Sequence, residues 1–153
     1  VPMSDTTPIE QVTPELLAEV LQDAGYRVNR SEQNGVVQLL SASQGIGYAL
    51  RLGNPSGTSG HYFDYSFSCA LRLQGDLPAG LAEHWNASRR FCRLWQQGEF
   101  LLMEMDCAVT GGVTRNFLRH TCELWDRLLQ EFVAYLRDYS RQAAQQHAVA
   151  QEA

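Results

Sequence analysis

The sequence contains no lysine, and all twelve of its basic residues are arginines. Without lysine the chain can form neither a Schiff base with a substrate carbonyl nor the lysine–phosphate contact of a phosphate-binding loop. Long apolar runs are also missing, since none approaches the roughly 20 residues of a membrane helix, and no basic-then-apolar leader opens the chain. We therefore expect a cytoplasmic protein without a membrane partner.

Spacing typical of metal or disulfide sites is absent as well. There is no C-x-x-C pair, and no histidine lies at ligand spacing from another histidine. The cysteines are therefore predicted to be ordinary, mostly buried thiols, and no metal or cofactor is expected. The residues concerned are Cys69, Cys92, Cys107, Cys122, His61, His84, His120 and His147.

Length and charge predict one globular domain. The 153 residues are 44% hydrophobic and carry a net charge of −5, which disfavours nucleic acid as the main partner. We place a single domain at residues 13–141, after a polar, disordered lead at residues 1–12. Val1 and Pro2, which precede Met3, are interpreted as residues left by cloning. The tail at residues 142–153 is expected either to fray or to extend the last helix.

Local patterns predict an α+β fold. Thr13-Pro14 is a helix start, and Asn34-Gly35 is a strong hairpin turn. Residues 63–73 alternate between apolar and polar side chains, as a half-buried strand does. A short helix near residues 81–88, a hairpin around Gly98 and a long helix over residues 114–141 complete the order α-β-β-β-α-β-β-α. Short connections in this order imply a twisted, largely antiparallel sheet packed with helices.

Gly111-Gly112 lies between a strand and a helix, which is where many proteins bind a phosphate. A phosphate loop needs more glycines at a defined spacing, a basic partner and a parallel setting. None of these is present, and Thr114 is well placed as the N-cap of its own helix. We interpret the two glycines as a tight corner that needs positive φ.

Catalytic patterns are weak. Glu104 and Asp106 share one face of a strand and could act as an acid/base pair, as a hydrolase would require. A polar strip beside nearby arginines is the favoured interpretation of the same residues. No nucleophile elbow of the type G-x-S-x-G occurs. We expect no enzyme activity.

One cluster mixes basic and aromatic residues. Arg89, Arg90 and Arg93 flank Phe91 and precede Trp95. Proteins that bind single-stranded nucleic acid combine such residues for backbone contact and base stacking. In an acidic protein, a partner-facing or ion-paired patch is favoured instead.

The last helix carries more apolar residues than one stripe of about 100° requires. This surplus fits either a deeply buried helix or a second contact with another subunit or a client segment, and the pattern favours neither. The candidate anchors of such a contact are the large aromatic side chains. They are Phe117, Trp125, Phe132, Tyr135 and Tyr139.

Residues 83–132 resemble the YbjN-like family of bacterial sensory transduction regulators. The resemblance rests on Trp85-Asn86, on Arg89-Arg90-Phe91, on Asp106 at the end of a hairpin, and on Gly-Gly-Val-Thr at positions 111–114. Residues 13–28 also fit the opening helix and strand of the family, so the match covers most of residues 13–136.

The resemblance implies a fold similar to type III secretion chaperones and a homodimer. It further implies a non-catalytic, chaperone-like adaptor or regulator that holds a client protein along apolar helix and sheet-edge surface. The alternative is a regulatory protein that binds a small ligand or single-stranded nucleic acid through the Arg89–Arg93 patch.

Overall fold

The residues that the structure describes form one sheet and three helices. The structure is a computed structural model that describes the backbone of residues 7–152 and the side chains of residues 7–142, 144 and 145. In chain order the elements are α1 (Pro14–Asp23), β1 (Asn29–Gln33), β2 (Val36–Ser43), β3 (Ile46–Leu52), β4 (Asp64–Arg72), α2 (Leu81–Ser88), β5 (Arg93–Gln97), β6 (Phe100–Ala108) and α3 (Arg115–Glu152).

The six strands form an antiparallel sheet in the order β1-β2-β3-β4-β6-β5. The α+β class and the antiparallel sheet are therefore confirmed. The structure has one strand more before α2 than the predicted order, because residues 29–52 form three strands ahead of β4. β1 and β5 are the two edges.

Alternation along the strands gives the sheet two different faces. On the inner face Leu39, Leu50, Phe67 and Met105 lie in one row across β2, β3, β4 and β6, and all four are buried. The outer face consists of the alternate residues, beginning with the neighbouring row Leu40, Ala49, Ser68 and Glu104.

Helix α3 covers the inner face. Trp125 stacks on Phe67 at a centroid distance of 5.3 Å and meets Tyr48 edge-on at 5.8 Å. The hydroxyl groups of Tyr65 and Thr121 are hydrogen-bonded at 2.7 Å, which links β4 to the same helix. Aromatic packing of this kind adds specific geometry to the burial of apolar area.

Polar contacts fix the flanks of α3. The Asp126 carboxylate accepts hydrogen bonds from the hydroxyls of Tyr26 (2.7 Å) and Ser43 (2.5 Å). At the start of the helix, the Arg115 guanidinium pairs with Glu19 (3.2 Å) and Asp23 (2.6 Å) on α1. The Arg115 pairs hold α1 against α3, and the Asp126 bonds connect α3 to β2 and to the segment that follows α1.

The corner at Gly111-Gly112 is confirmed as a turn. Both glycines have positive φ, +93° and +97°, a region that glycine adopts at little cost. The Thr114 hydroxyl accepts a hydrogen bond from the Phe117 N–H at 3.0 Å, which is the contact of a helix N-cap.

The predicted lead and tail differ from expectation in part. Residues 1–6 of the lead lie outside the described residues. In residues 7–12 the prediction of disorder is corrected, because Ile9 pairs with Val113, Val12 pairs with Tyr62, and Val12 is fully buried. The backbone of α3 continues through residues 142–152 of the predicted tail.

The cysteines are free and buried, as predicted. Burial raises the pKa of the Cys69 and Cys107 thiols to about 11 and that of Cys122 to about 12, and it raises the pKa of Cys92 as well. Such thiols are poor nucleophiles and poor metal ligands at neutral pH.

Candidate functional site

No helix of the described part of the chain packs on the outer face of the sheet, whereas the inner face is covered by helices. Six large hydrophobic side chains are exposed on the described residues, and four of them lie on this face. They are Val36 (63% exposed) and Leu40 (39%) on β2, Trp95 (37%) on β5 and Phe100 (44%) on β6.

The centre of the outer face consists of small residues on β3 and β4, of which Ala49 and Ser68 are buried among their neighbours. Pairing brings Ala49 opposite Ser68, and Ala70 lies on the same face of β4. Large side chains therefore stand on either side of a strip of small ones. Four exposed apolar side chains on a face without a helix layer in the described residues make this face a candidate surface for another molecule.

An ionic network lies beside Trp95. The Arg93 guanidinium donates to Asp106 at 2.7 Å and to Glu104 at 3.3 Å, and the Trp95 indole N–H donates to Glu104 at 2.6 Å. The Ser66 hydroxyl also donates to Asp106, at 2.6 Å. Two carboxylates share one guanidinium, so the network keeps a surplus negative charge.

This geometry does not suit acid/base catalysis by Glu104 and Asp106. Burial tends to raise the pKa of Asp106, but hydrogen bonds from Ser66 and Arg93 outweigh it and hold that pKa below its usual range. An ionised carboxylate bound to a guanidinium is a weak base and has no proton to donate at neutral pH. The favoured interpretation, a polar strip beside arginine, agrees with the observed contacts.

The predicted basic patch divides into separate environments. The Arg89 guanidinium lies over the rings of Trp85 (4.3 Å) and Tyr135 (4.8 Å), and Arg93 belongs to the ionic network. Arg90 is exposed and has no hydrogen-bond or ion-pair partner among the described residues. A continuous cationic surface is therefore not what these arginines form.

Phe91, next to Arg90, is held in an unusual backbone conformation. Its φ is +79°, which a bulky L-residue adopts only at a cost, and its side chain is 66% exposed. The ring is not buried, so packing in the core does not explain an aromatic residue at a position whose backbone conformation favours glycine. The backbone of Phe91 is strained and its ring is exposed. The residue lies just before β5, at the end of the sheet where Trp95 lies.

For three of the five predicted anchors, the prediction of a partner contact is corrected. Trp125 and Phe132 are fully buried and Tyr135 is 9% exposed, because the sheet, α1 and α2 surround α3. Buried side chains cannot contact a partner while the domain stays folded. Phe117 is exposed (38%) and Tyr139 is partly exposed, so only these two could take part in a contact.

A second concavity lies between α2 and α3. It measures about 510 Å³ and is lined mainly by His84, Arg89, Glu131, Tyr135 and Asp138. The Tyr135 hydroxyl donates to the Leu81 carbonyl at 2.6 Å, so this tyrosine holds α2 in place. The lining combines one arginine with two carboxylates, which indicates no single ligand charge.

The two edge strands differ in whether a side chain forms hydrogen bonds with their main chain. Beside β5, the Asn86 amide group donates to the Leu94 carbonyl (2.9 Å) and accepts from the Leu94 N–H (2.8 Å). Asn86 thus makes the pair of bonds that a residue of a neighbouring strand would make. No comparable side chain pairs with the main chain of β1 in the described residues.

Some of these features could not be predicted from the sequence. Asn86 was noted only as part of the family pattern and Phe91 also as part of the basic and aromatic cluster, while Val36, Leu40 and Phe100 were not predicted to be exposed. The alternation of residues 36–40 contained the signal for Leu40, since it lies opposite in phase to buried Leu39. Nothing local to Asn86 indicates a partner eight residues away.

Within the described residues, no three histidine, cysteine, aspartate or glutamate side chains come together as metal ligands. None of the helices described there is long and apolar enough to span a membrane.

Comparison with known proteins gives one family. No curated protein and no solved structure matches the chain. A family model described as "Putative bacterial sensory transduction regulator" matches residues 13–138, which is most of the chain and includes all six strands. The chain belongs to the YbjN family.

Proposed function

We propose that this protein is a non-catalytic, chaperone-like regulator that binds a segment of a partner protein on the outer face of its sheet and acts as a homodimer. The observation that carries the proposal is the outer face itself. It lacks a helix layer in the described residues, and it carries Val36, Leu40, Trp95 and Phe100 in exposed positions.

The layer rules of α+β folds support this location. The inner face of a sheet is stabilised by helices that cover its apolar side chains, and the outer face offers a partner helix a similar, though less apolar, surface. The exposed small residues Gly47 on β3 and Ala70 on β4 lie on this face between Leu40 on one side and Phe100 on the other, where a partner helix would cross the sheet.

At the Trp95 end of the outer face charge supports a basic partner segment, whereas exposed Arg51 on β3 adds a positive charge elsewhere on the face. The whole chain has a net charge of −5, and the network around Arg93 has a surplus carboxylate. An amphipathic helix with apolar anchors and flanking arginine or lysine would complement both features. The YbjN family is described as regulators, which agrees with a binding role.

Photo-crosslinking at a single position tests the proposal. Benzoylphenylalanine would replace Phe100 on the outer face or, as a matched control, Phe117 on α3, which is about equally exposed (44% and 38%). We expect a defined protein adduct in cells only from position 100. Adducts from position 117 alone, or equal adducts from both, would contradict the location of the site.

The alternative function has narrower support. A regulator that binds a small ligand or single-stranded nucleic acid would use Arg90 and the concavity beside Arg89. A salt-dependent anisotropy change with a labelled oligothymidine, lost in Arg90→Ala, would favour this alternative.

A further inference from the structure

The free edge of β1 is the starting point. At the other end of the sheet, Asn86 already bonds to the edge strand at Leu94, so addition of a strand there would require its displacement. β1 is exposed along most of its length, and its sequence is Asn-Arg-Ser-Glu-Gln. An exposed strand edge is a template for another strand unless its side chains prevent pairing.

The β1–β2 hairpin decides which main-chain groups point outward. The turn has two residues, Asn34 and Gly35, both with positive φ (+53° and +78°). In such a hairpin the flanking pair, Gln33 and Val36, exchanges main-chain hydrogen bonds, and every second pair after it does the same. The N–H and C=O groups of Arg30 and Glu32 therefore point away from β2, toward the open edge.

The charged residues of β1 are complementary to those of a second β1 strand that pairs with it in antiparallel orientation. In an antiparallel pair of two β1 strands centred on Ser31, Arg30 of one copy lies opposite Glu32 of the other, and the reverse holds by symmetry. The register brings together the outward main-chain groups of the same residues. Opposite charges directly across an antiparallel pair are favourable, and like charges there are unfavourable.

We propose that two copies of this chain associate through antiparallel pairing of their β1 strands about a twofold axis at Ser31. Arg30 and Glu32 of each copy then exchange main-chain bonds and form ion pairs across the axis, and the two sheets become one continuous sheet. This interface is isologous, as expected for a closed dimer. The inference rests on the homodimer in the proposed function and gives it a specific surface.

Neighbouring charges are compatible with this pairing. On α1, Glu15 accepts from Arg30 at 2.8 Å, and this bond lowers the pKa of Glu15. Glu32 is exposed and has no ion-pair partner in the described residues. In the dimer each Arg30 would lie between Glu15 of its own chain and Glu32 of the second copy, so Glu32 gains the partner that it lacks in the monomer.

The dimer would leave the outer faces free. Pairing at the edge extends the sheet sideways: Val36 and Leu40 on β2 lie next to β1, whereas Trp95 and Phe100 lie near the other end. Pairing at β1 would therefore place two partner-binding faces on one continuous surface without covering either. This separation makes the two surfaces testable by independent variants.

Charge reversal with mixing tests the interface. We would measure self-association of the full chain by sedimentation equilibrium for Glu32→Arg and for Arg30→Glu, each alone and mixed in equal amounts. Each variant alone places like charges across the axis, and we expect its dimer to weaken by about tenfold or more. The mixture restores opposite charges at every pair and should recover the dimer.

Control variants keep this test independent of folding and of the proposed function. Glu83→Arg makes the same change of charge at an exposed site on α2 and should leave dimerisation unchanged. Phe100→Glu should also leave it unchanged, since it alters only the outer face. A wild-type monomer at high concentration, or a dimer insensitive to Glu32→Arg, would overturn the β1 interface and leave partner binding at the outer face standing.

Discussion

The two faces of the sheet are made by alternate residues of the same strands. On β4, Tyr65, Phe67 and Cys69 point inward and are fully buried, whereas Ser66 and Ala70 point outward. α3 covers the first set, and no helix of the described residues covers the second. The contrast indicates that the fold depends on the inner face, while the exposed residues of the outer face can change with little effect on stability.

The largest expected effect comes from the inner face. Trp125→Ala removes a fully buried ring that stacks on Phe67 and should lower the free energy of unfolding by about 3–5 kcal/mol. Phe117→Ala, on the same helix but exposed, should lower it by less than about 1 kcal/mol. Urea unfolding measures both. Equal losses of unfolding free energy in the two variants would contradict the distinction between buried and exposed positions of α3.

A carboxylate on each side of the sheet gives the next comparison. Burial tends to raise the pKa of Asp126, but hydrogen bonds from Ser43, Tyr26 and Gln130 outweigh it, so that pKa lies below its usual range. Asp126→Asn should lower stability at neutral pH by about 1–3 kcal/mol. Asp106→Asn, on the outer face, should cost less, because its partner Arg93 is half-exposed.

The pH dependence of this effect has a definite sign. Because the native pKa of Asp126 lies below that of the unfolded chain, near 4, the unfolded state binds more protons as pH falls. The contribution of Asp126 is complete above about pH 5 and is lost as pH falls through the native pKa. The stability difference between wild type and Asp126→Asn should shrink in that window, and a constant difference would contradict the assignment.

A smaller loss of stability is expected at the edge strand β5, where Asn86 bonds to the main chain of Leu94. Asn86→Ala leaves the N–H and C=O of Leu94 without their side-chain partner and should cost about 1–2 kcal/mol. Exchange of the Leu94 amide hydrogen should become faster, while exchange at Met103, its neighbour on β6, should change less. Asn86→Asp replaces the donor to the Leu94 C=O by a carboxylate oxygen and should therefore also be destabilising. Unchanged exchange at Leu94 would show that Asn86 does not protect this edge.

The smallest effect is expected at Phe91. Its positive φ costs an L-residue about 1–2 kcal/mol, which glycine avoids, although glycine adds up to about 1 kcal/mol of unfolded-state entropy. Phe91→Gly should therefore be neutral or slightly stabilising, whereas Phe100→Gly, in a regular strand, should be destabilising. A clear loss of stability in Phe91→Gly would mean that the ring packs on the domain rather than awaiting a partner.

Patterns with short spacing were sufficient for most of the fold. The Thr13-Pro14 helix start, the Asn34-Gly35 turn and the alternation in residues 63–73 each depend on neighbouring residues, and each agrees with the structure. The short bridges of residues 7–12 could not be predicted, since they pair Ile9 and Val12 with distant residues in two loops. Composition alone makes such a segment look disordered.

The candidate site was harder to predict for the same reason. A helical pattern gives the width of an apolar face but not what covers it, so Trp125 and Phe132 could not be separated from Phe117 in advance. The pairing of Arg93 with Asp106 requires the register of β5 and β6, which no local pattern of charges gives. The outer face becomes visible only when the helices are placed on the inner one.

The most direct measurement compares two equally simple variants of the full chain in the native cell. Tagged wild type, Phe100→Glu and Phe117→Glu would be recovered at equal expression, and bound proteins would be quantified by isotope-labelled mass spectrometry. The account predicts one partner, enriched with wild type and Phe117→Glu and lost with Phe100→Glu, whose unfolding free energy stays near that of wild type. A partner retained by Phe100→Glu and lost from Phe117→Glu would contradict the assignment of binding to the outer face.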